Sequence, residues 1–200
     1  MFSSHYHSIV PFGGPGVGKS TFCNMILDGK DSGRFKSSES TQGGETKKVS
    51  SFKGNALADQ KNAKVKVFDV PGLTDPDLPI DLWVEEIRNG VEASQQIDMA
   101  IMILKATDYR MTMEQIISAK AMCKFLENLK PKSTFLCFTF CDKEMPKEKF
   151  VKEKLATIKK YCDLEVPAEN VIFFKNTKQS LEDFITKFVK SPNTKFCEDL

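Results

Sequence analysis

The sequence is poor in the residues that metal sites, membrane spans and nucleic-acid grips require. Its only histidines, His5 and His7, sit at the extreme N-terminus. Its six cysteines (Cys23, Cys123, Cys137, Cys141, Cys162 and Cys197) include no CxxC pair. A structural zinc site needs Cys and His ligands at tighter spacing, so the thiols are expected to be free and buried, as in a reducing cytoplasm. No apolar run reaches the ~18–20 residues that a membrane span needs. Residues 1–8 are polar, which argues against a signal peptide. The C-terminal KFCEDL carries neither a hydrophobic tail nor a prenylation box. Charge of one sign is lacking too. A formal net charge of +2 leaves no basic excess to neutralise a nucleic-acid backbone, so no nucleic-acid partner is expected. Internal repeats and low-complexity segments are absent.

What is there suits a single domain, residues 1–200. The chain has 200 residues, 40% of them hydrophobic and 28% charged, enough to bury a core. Strand-like and helix-like segments alternate, which predicts an α/β fold with a mostly parallel sheet and helices on both faces. Strands are expected at Ser8–Phe12, Val49–Phe52, Val65–Val70, Met99–Leu104, Thr134–Phe140 and Val171–Phe174. Helices are expected at Lys19–Leu27, Leu82–Val91, Thr112–Leu129, Pro146–Tyr161 and Leu181–Val189. Thr112 with Gln115 three residues on has the pattern of a capping box. Pro11 removes a ladder donor from what should be a central strand, so a bulge or an early strand end is expected there. The lysines of the late helices read as a solvated face.

The strongest local signal is GGPGVGKS, Gly13 to Ser20, which fits GxxxxGK(S/T). It follows a predicted strand and opens a predicted helix. Glycines let the backbone turn its N–H groups toward phosphate oxygens, and the helix N-terminus adds its positive dipole end. Gly14, Pro15, Gly16, Val17, Gly18, Lys19, Ser20 and Thr21 are therefore the expected nucleotide cradle. Lys19 would reach the β- and γ-phosphates, and the Ser20 hydroxyl would ligate Mg²⁺.

Val67 to Gly72 reads as a strand ending in DxPG. Asp69 at that strand end would hold Mg²⁺ and the Gly72 N–H would contact a γ-phosphate. The plain alternative is turn chemistry, since Asp-x-Pro-Gly also makes good turns. Leu73 follows, where Ras-like proteins place a glutamine that orients the attacking water. Leucine cannot hold water, so slow hydrolysis is expected unless a partner molecule completes the site. The polar stretch from Lys30 to Thr46 is too long for a simple connector. It offers Thr41 or Thr46 as the threonine that meets Mg²⁺ and γ-phosphate, and Thr46 is favoured because it directly precedes a strand.

The strand ending Phe138-Thr139-Phe140-Cys141-Asp142 suits base recognition. Guanine presents two donors, N1–H and N2–H, that one carboxylate can accept. Asp142 is placed to do so and Thr139 to brace the loop. The usual form is (N/T)KxD, where the Lys stem packs on the base. Phe140 stands in the Lys place, to pack on the purine or to point into the core. Asn176, after the last strand, is a candidate base or sugar contact; a turn-forming Asn is the alternative.

With these residues in hand, the chain resembles the immunity-associated nucleotide-binding GTPases (the IAN or GIMAP family, with the AIG-type G domain), relatives of the plastid-import Toc GTPases and septins. Besides the Gly13–Ser20 loop, the resemblance rests on Phe35-Lys36-Ser37 leading to Thr46 and on Val67 to Leu73. It rests also on Phe138-Thr139 to Asp142 against the family's FTxxD, and on Phe173 to Asn176 against its FxN. Most specific is Asp108 to Glu114, which resembles the family's GR(F/Y)T-x-E segment with Asp108 for Gly and Met111 inserted. The resemblance implies a Ras-like sheet, Mg²⁺-dependent binding of GTP and GDP, and nucleotide-dependent self-association as a homodimer or oligomer. Arg110 is then a candidate catalytic group acting across such a dimer, with a surface ion pair as the alternative. Two other functions stay open: a non-hydrolysing scaffold with a bound nucleotide, and a P-loop ATPase or nucleotide kinase. The last is disfavoured because an ATP site has no need of Asp142 and arginine, useful in a kinase lid, is scarce.

Overall fold

The computed structural model describes residues 6–36, 49–59, 63–72, 79–92, 97–126, 134–141, 147–175 and 177–185. Among them, strands β1 (His7–Phe12), β2 (Ser50–Asn55), β3 (Lys64–Asp69), β4 (Met99–Lys105), β5 (Thr134–Thr139) and β6 (Val171–Phe173) form one sheet in the order β2-β3-β1-β4-β5-β6. Every pairing is parallel except β2 with β3, which is antiparallel and sits at the edge. Helices α1 (Lys19–Asp28), α2 (Ile80–Glu92), α3 (Met113–Phe125), α4 (Lys147–Cys162) and α5 (Lys178–Phe184) connect or flank the strands.

The central strands read as continuous apolar runs because both of their faces are covered. In β4 the alternation is complete: Met99, Ile101 and Ile103 join one hydrophobic cluster, and Ala100, Met102 and Leu104 join the other. The first cluster packs under α1 and α5 through Phe22, Ile26, Leu181 and Phe184. The second packs under α2, α3 and α4 through Trp83, Ile87, Met122, Phe150 and Ile158. Trp83, Ile87 and Val91, spaced four apart on one stripe of α2, are all buried as their period predicts. Helix α3 opens with the full capping box: the Gln115 N–H donates to Thr112 Oγ1 and the Thr112 N–H donates to Gln115 Oε1.

Pro11 corrects one expectation. Strand β1 neither bulges nor ends early there, and Pro11 lies opposite Ile101 of β4. The ladder to β3 stops at Ile9, so on that side no hydrogen bond is lost to the missing N–H. Several ends also shift. Strand β2 runs on through Gly54 to Asn55, and a 3-10 turn at Ala56–Ala58 leads it toward β3. Helix α3 ends at Phe125, short of Leu129, and α5 begins at Lys178, before Leu181.

Asn24 shows how the chain leaving α1 is held. This fully buried side chain donates through Nδ2 to Phe35 O (2.9 Å) and to Asp31 Oδ1 (2.7 Å), and accepts from the Phe35 N–H at Oδ1 (2.8 Å). Asn24→Ala would leave the Phe35 backbone groups unpaired in a buried place. A loss of about 2–3 kcal/mol is expected, read as a lower urea midpoint.

No helix among the described residues is long and apolar enough to cross a membrane.

Candidate nucleotide site

In this sheet the chain steps from β1 to β3 on one side and to β4 on the other. Open α/β sheets bind ligands in the crevice at the carboxyl ends of strands where the order reverses in this way. Four strand ends meet there. Strand β1 runs into the Gly13–Gly18 loop, β3 ends at Asp69, β4 at Lys105 and β5 at Thr139.

The loop needs its glycines for different reasons. Gly16 (φ 65°) and Gly18 (φ 93°) have left-handed backbone that L side chains rarely adopt. At Gly13 (φ 152°) the limit is space as well, because a Cβ would lie 2.6 Å from the Ile103 carbonyl oxygen. Gly18 is the N-cap of α1 and supplies no side-chain cap. The first N–H groups of that helix are therefore left to a ligand, which is the chemistry of an anion cradle.

Lys19 lies almost wholly buried in its own loop, donating through Nζ to Gly13 O (3.0 Å) and Gly14 O (2.8 Å). Burial pushes its pKa down to about 8, against the pull of the nearby Asp69 and Glu114 carboxylates. Next to it the Ser20 hydroxyl stands 3.2 Å from both carboxylate oxygens of Asp69, itself buried. Hydroxyl and carboxylate oxygens form a donor set suited to a hard cation such as Mg²⁺. The DxPG turn closes over the loop. A Cβ on Gly72 would lie 3.2 Å from Pro15 N and 3.4 Å from Lys19 Nζ. That turn is anchored from α2, where Trp83 Nε1 donates to Pro71 O (3.1 Å). Thr21 donates through Oγ1 to Asp31 Oδ2 (3.2 Å).

Thr139 ties the end of β5 to the loop: its buried hydroxyl lies 2.8 Å from Val17 O and 3.2 Å from Leu104 O. Gly14, Pro15, Gly16, Val17, Gly18, Lys19, Ser20, Thr21, Asp69, Gly72 and Thr139 are thus brought to one place. Arg110 is exposed in the bend between β4 and α3. Thr41, Thr46, Leu73, Asp142 and Asn176 lie outside the described residues. Phe140 does not point into the core: it is half exposed, with a left-handed φ of 55°.

Three side chains at the site were not singled out from the sequence. Glu114 brings its carboxylate to the loop, 2.9 Å from where a Cβ on Gly14 would stand. The Asp108–Glu114 segment that carries it is held by Gln115 Nε2, which donates to Asp108 Oδ2 (2.6 Å). Lys105 ends beside Gly16, and Trp83 holds the DxPG turn. The first signal available for Glu114 was its place in the segment around Arg110; for Lys105 it was only a lysine closing an apolar run.

Comparison with known proteins bears on the fold and the family. A family model described as 50S ribosome-binding GTPase matches residues 8–139. No curated protein matches the sequence. Toc33 from Arabidopsis thaliana, solved in complex with GDP and Mg²⁺, is similar with a TM-score of 0.63 at 17% identity, over 86% of this chain and 71% of that one. A structure of the chloroplast translocon components atToc33 and psToc159, for which dimerization is important for GTPase activity, gives 0.65 at 17% identity, over 86% and 70%. Era in complex with MgGDPNP and a piece of 16S ribosomal RNA gives 0.59 at 21% identity, over 98% of this chain and 61% of that one. At such identities the solved structures establish the Ras-like P-loop fold. The family model spans most of the chain, and the chain therefore belongs to the GTPase family described as 50S ribosome-binding GTPases.

Proposed function

We propose that the chain is a single G domain that binds GTP with Mg²⁺, hydrolyses it slowly and pairs with a second copy through the nucleotide face while GTP is bound. The observation that carries this reading is the meeting of Ser20 and Asp69 at 3.2 Å beside the Lys19 ammonium. It joins a metal-suited oxygen pair to a phosphate-suited cradle. Ser20 and Asp69, with Thr46, would hold Mg²⁺, which would offset the negative charge of the phosphates there. Loop N–H groups from Gly14 to Thr21 cradle the phosphates. Lys19 leaves the Gly13 and Gly14 carbonyls for phosphate oxygens, which keep it charged. Gly72 reads the γ-phosphate, and Trp83 sets where Gly72 stands. Asp142 accepts from guanine, Thr139 braces that loop, and Asn176 adds a base or sugar contact.

Leu73 is the reason to propose slow turnover, because it cannot position water. Arg110 is the proposed catalytic group from a second molecule; it is exposed and flanked by the exposed Tyr109 and nearby Met113. The importance of dimerization for GTPase activity in the Toc components supports this arrangement by analogy. The Asp108–Glu114 segment supports a place among the IAN/GIMAP-like G domains. The free thiols among the described residues suit a cytoplasmic location. With a net charge of only +2, pairing with a second copy is favoured over a ribosomal RNA surface.

Phosphate release measured over a protein concentration series tests the reading. Specific activity should rise with concentration, and Arg110→Ala should lower it at high concentration alone. Equal loss at high and low concentration would sink the trans role, and no release at any concentration would leave a nucleotide-bound scaffold. Competition of ATP against labelled GTP tests the base preference, and equal competition would overturn guanine recognition.

A further inference from the structure

The base-recognition segment has an aromatic where a lysine is usual, and the fold supplies a lysine from elsewhere. Strands β4 and β5 run side by side with Lys105 in register with Thr139, and the Ala106 N–H donates to Thr139 O (2.8 Å). The residue after Thr139 is therefore beside the end of β4. Lys105 Nζ stands 5.5 Å from the centroid of the Phe140 ring. The same ammonium lies 3.8 Å from where a Cβ on Gly16 would be. It thus spans from the ring to the crest of the phosphate loop.

Phe140 belongs to neither hydrophobic cluster of the core. Its ring is half exposed, and its φ of 55° is one that bulky residues seldom adopt. Among the described residues this outward-turned ring joins no core packing, and its contact is with the Lys105 ammonium. Strain of this kind gathers where a site over-determines the backbone. The ring's flat face, two residues before Asp142, suits a purine, since every base has a π-face that stacks on aromatics. A cation beside the ring is held by its quadrupole.

We propose that Lys105 and Phe140 together form a split purine clamp: the Phe140 ring packs on the base of the bound guanine nucleotide, and Lys105, between that ring and Gly16, supplies the cation that the base motif lacks. This inference rests on the guanine-nucleotide reading above. The clamp sets affinity for the purine, and the choice of guanine stays with Asp142.

Equilibrium titration of the whole chain with GDP and with inosine diphosphate, in Mg²⁺ buffer, tests it. Lys105→Ala, Lys105→Met and Phe140→Ala should each weaken GDP binding by about tenfold. The ratio of GDP to inosine diphosphate affinity should not change, because the N2–H contact is made elsewhere. Phe140→Lys introduced into Lys105→Ala should restore GDP binding by returning the ammonium to its usual place. Affinities within twofold of the parent would overturn the clamp. So would a fall in the GDP to inosine diphosphate ratio alongside affinity, since the substitutions would then act by moving the Asp142 loop. Failure of the rescue would overturn the part given to Lys105. A parent chain that binds no GDP would instead remove the nucleotide reading, and this inference with it.

Discussion

Gly13→Ala should lower the melting temperature by roughly 6–12 °C and take nucleotide binding with it, whereas Gly14→Ala should cost little. The two glycines are neighbours in one motif and look alike in the sequence. Their surroundings differ in kind. A Cβ at Gly13 would press on the Ile103 carbonyl oxygen at 2.6 Å and on Val17 Cγ2 at 2.9 Å. The first is backbone of the central strand β4 and cannot step aside. The φ of 152° adds strain for any L side chain. Overpacking and strain together reach about 3 kcal/mol, and a domain of this size loses roughly 2–4 °C for each. At Gly14 the nearest atoms belong to the end of the Glu114 side chain, which can swing away. Thermal melts of both variants check the contrast. Equal destabilisation would mean that the loop does not approach β4 as described.

Lys19→Met should do two opposite things: lower GTP affinity by two orders of magnitude or more and raise the stability of the nucleotide-free chain. The ammonium is buried, and its pKa is held at about 8 against an ordinary 10.5 by desolvation. A shift of that size corresponds to roughly 3 kcal/mol against the charged form. Its hydrogen bonds to Gly13 O and Gly14 O recover part of this cost. Methionine has a similar length and nothing to desolvate, so a gain of about 1–2 kcal/mol is expected, with water taking over the two carbonyls. On the proposed reading, bound phosphate would bring the compensating charge. Urea denaturation without nucleotide, beside GTP titration, reads both effects. A variant less stable than the parent would show that Lys19 holds the loop together rather than waiting for a ligand.

Much of the site was legible because its chemistry is contiguous. The glycines, Lys19 and Ser20 lie within one short loop, so their spacing alone predicts a cradle whatever surrounds it. Asp69 and Gly72 were readable for the same reason, as a strand that ends in DxPG. The capping box at Thr112 was readable because its partners are three residues apart. Boundaries fared less well where packing decides them, as with the extension of β2 through Gly54 and the early start of α5. Pro11 misled because a missing donor matters only where a neighbour needs it. On its β3 side the ladder has already stopped at Ile9.

Sequence by itself determined that a GxxxxGK(S/T) loop, a strand ending in DxPG and the Phe138–Asp142 segment follow one another in the order that a GTPase needs. These are properties of short segments, and local chemistry suffices to read them. Only the tertiary structure decided that Glu114 faces Gly14, that Trp83 holds the Pro71–Gly72 turn, and that Lys105 stands between Phe140 and Gly16. Those meetings depend on which strands lie side by side and in what register. Residues far apart along the chain carry no mark of that until the buried faces of the sheet have been matched to their helices.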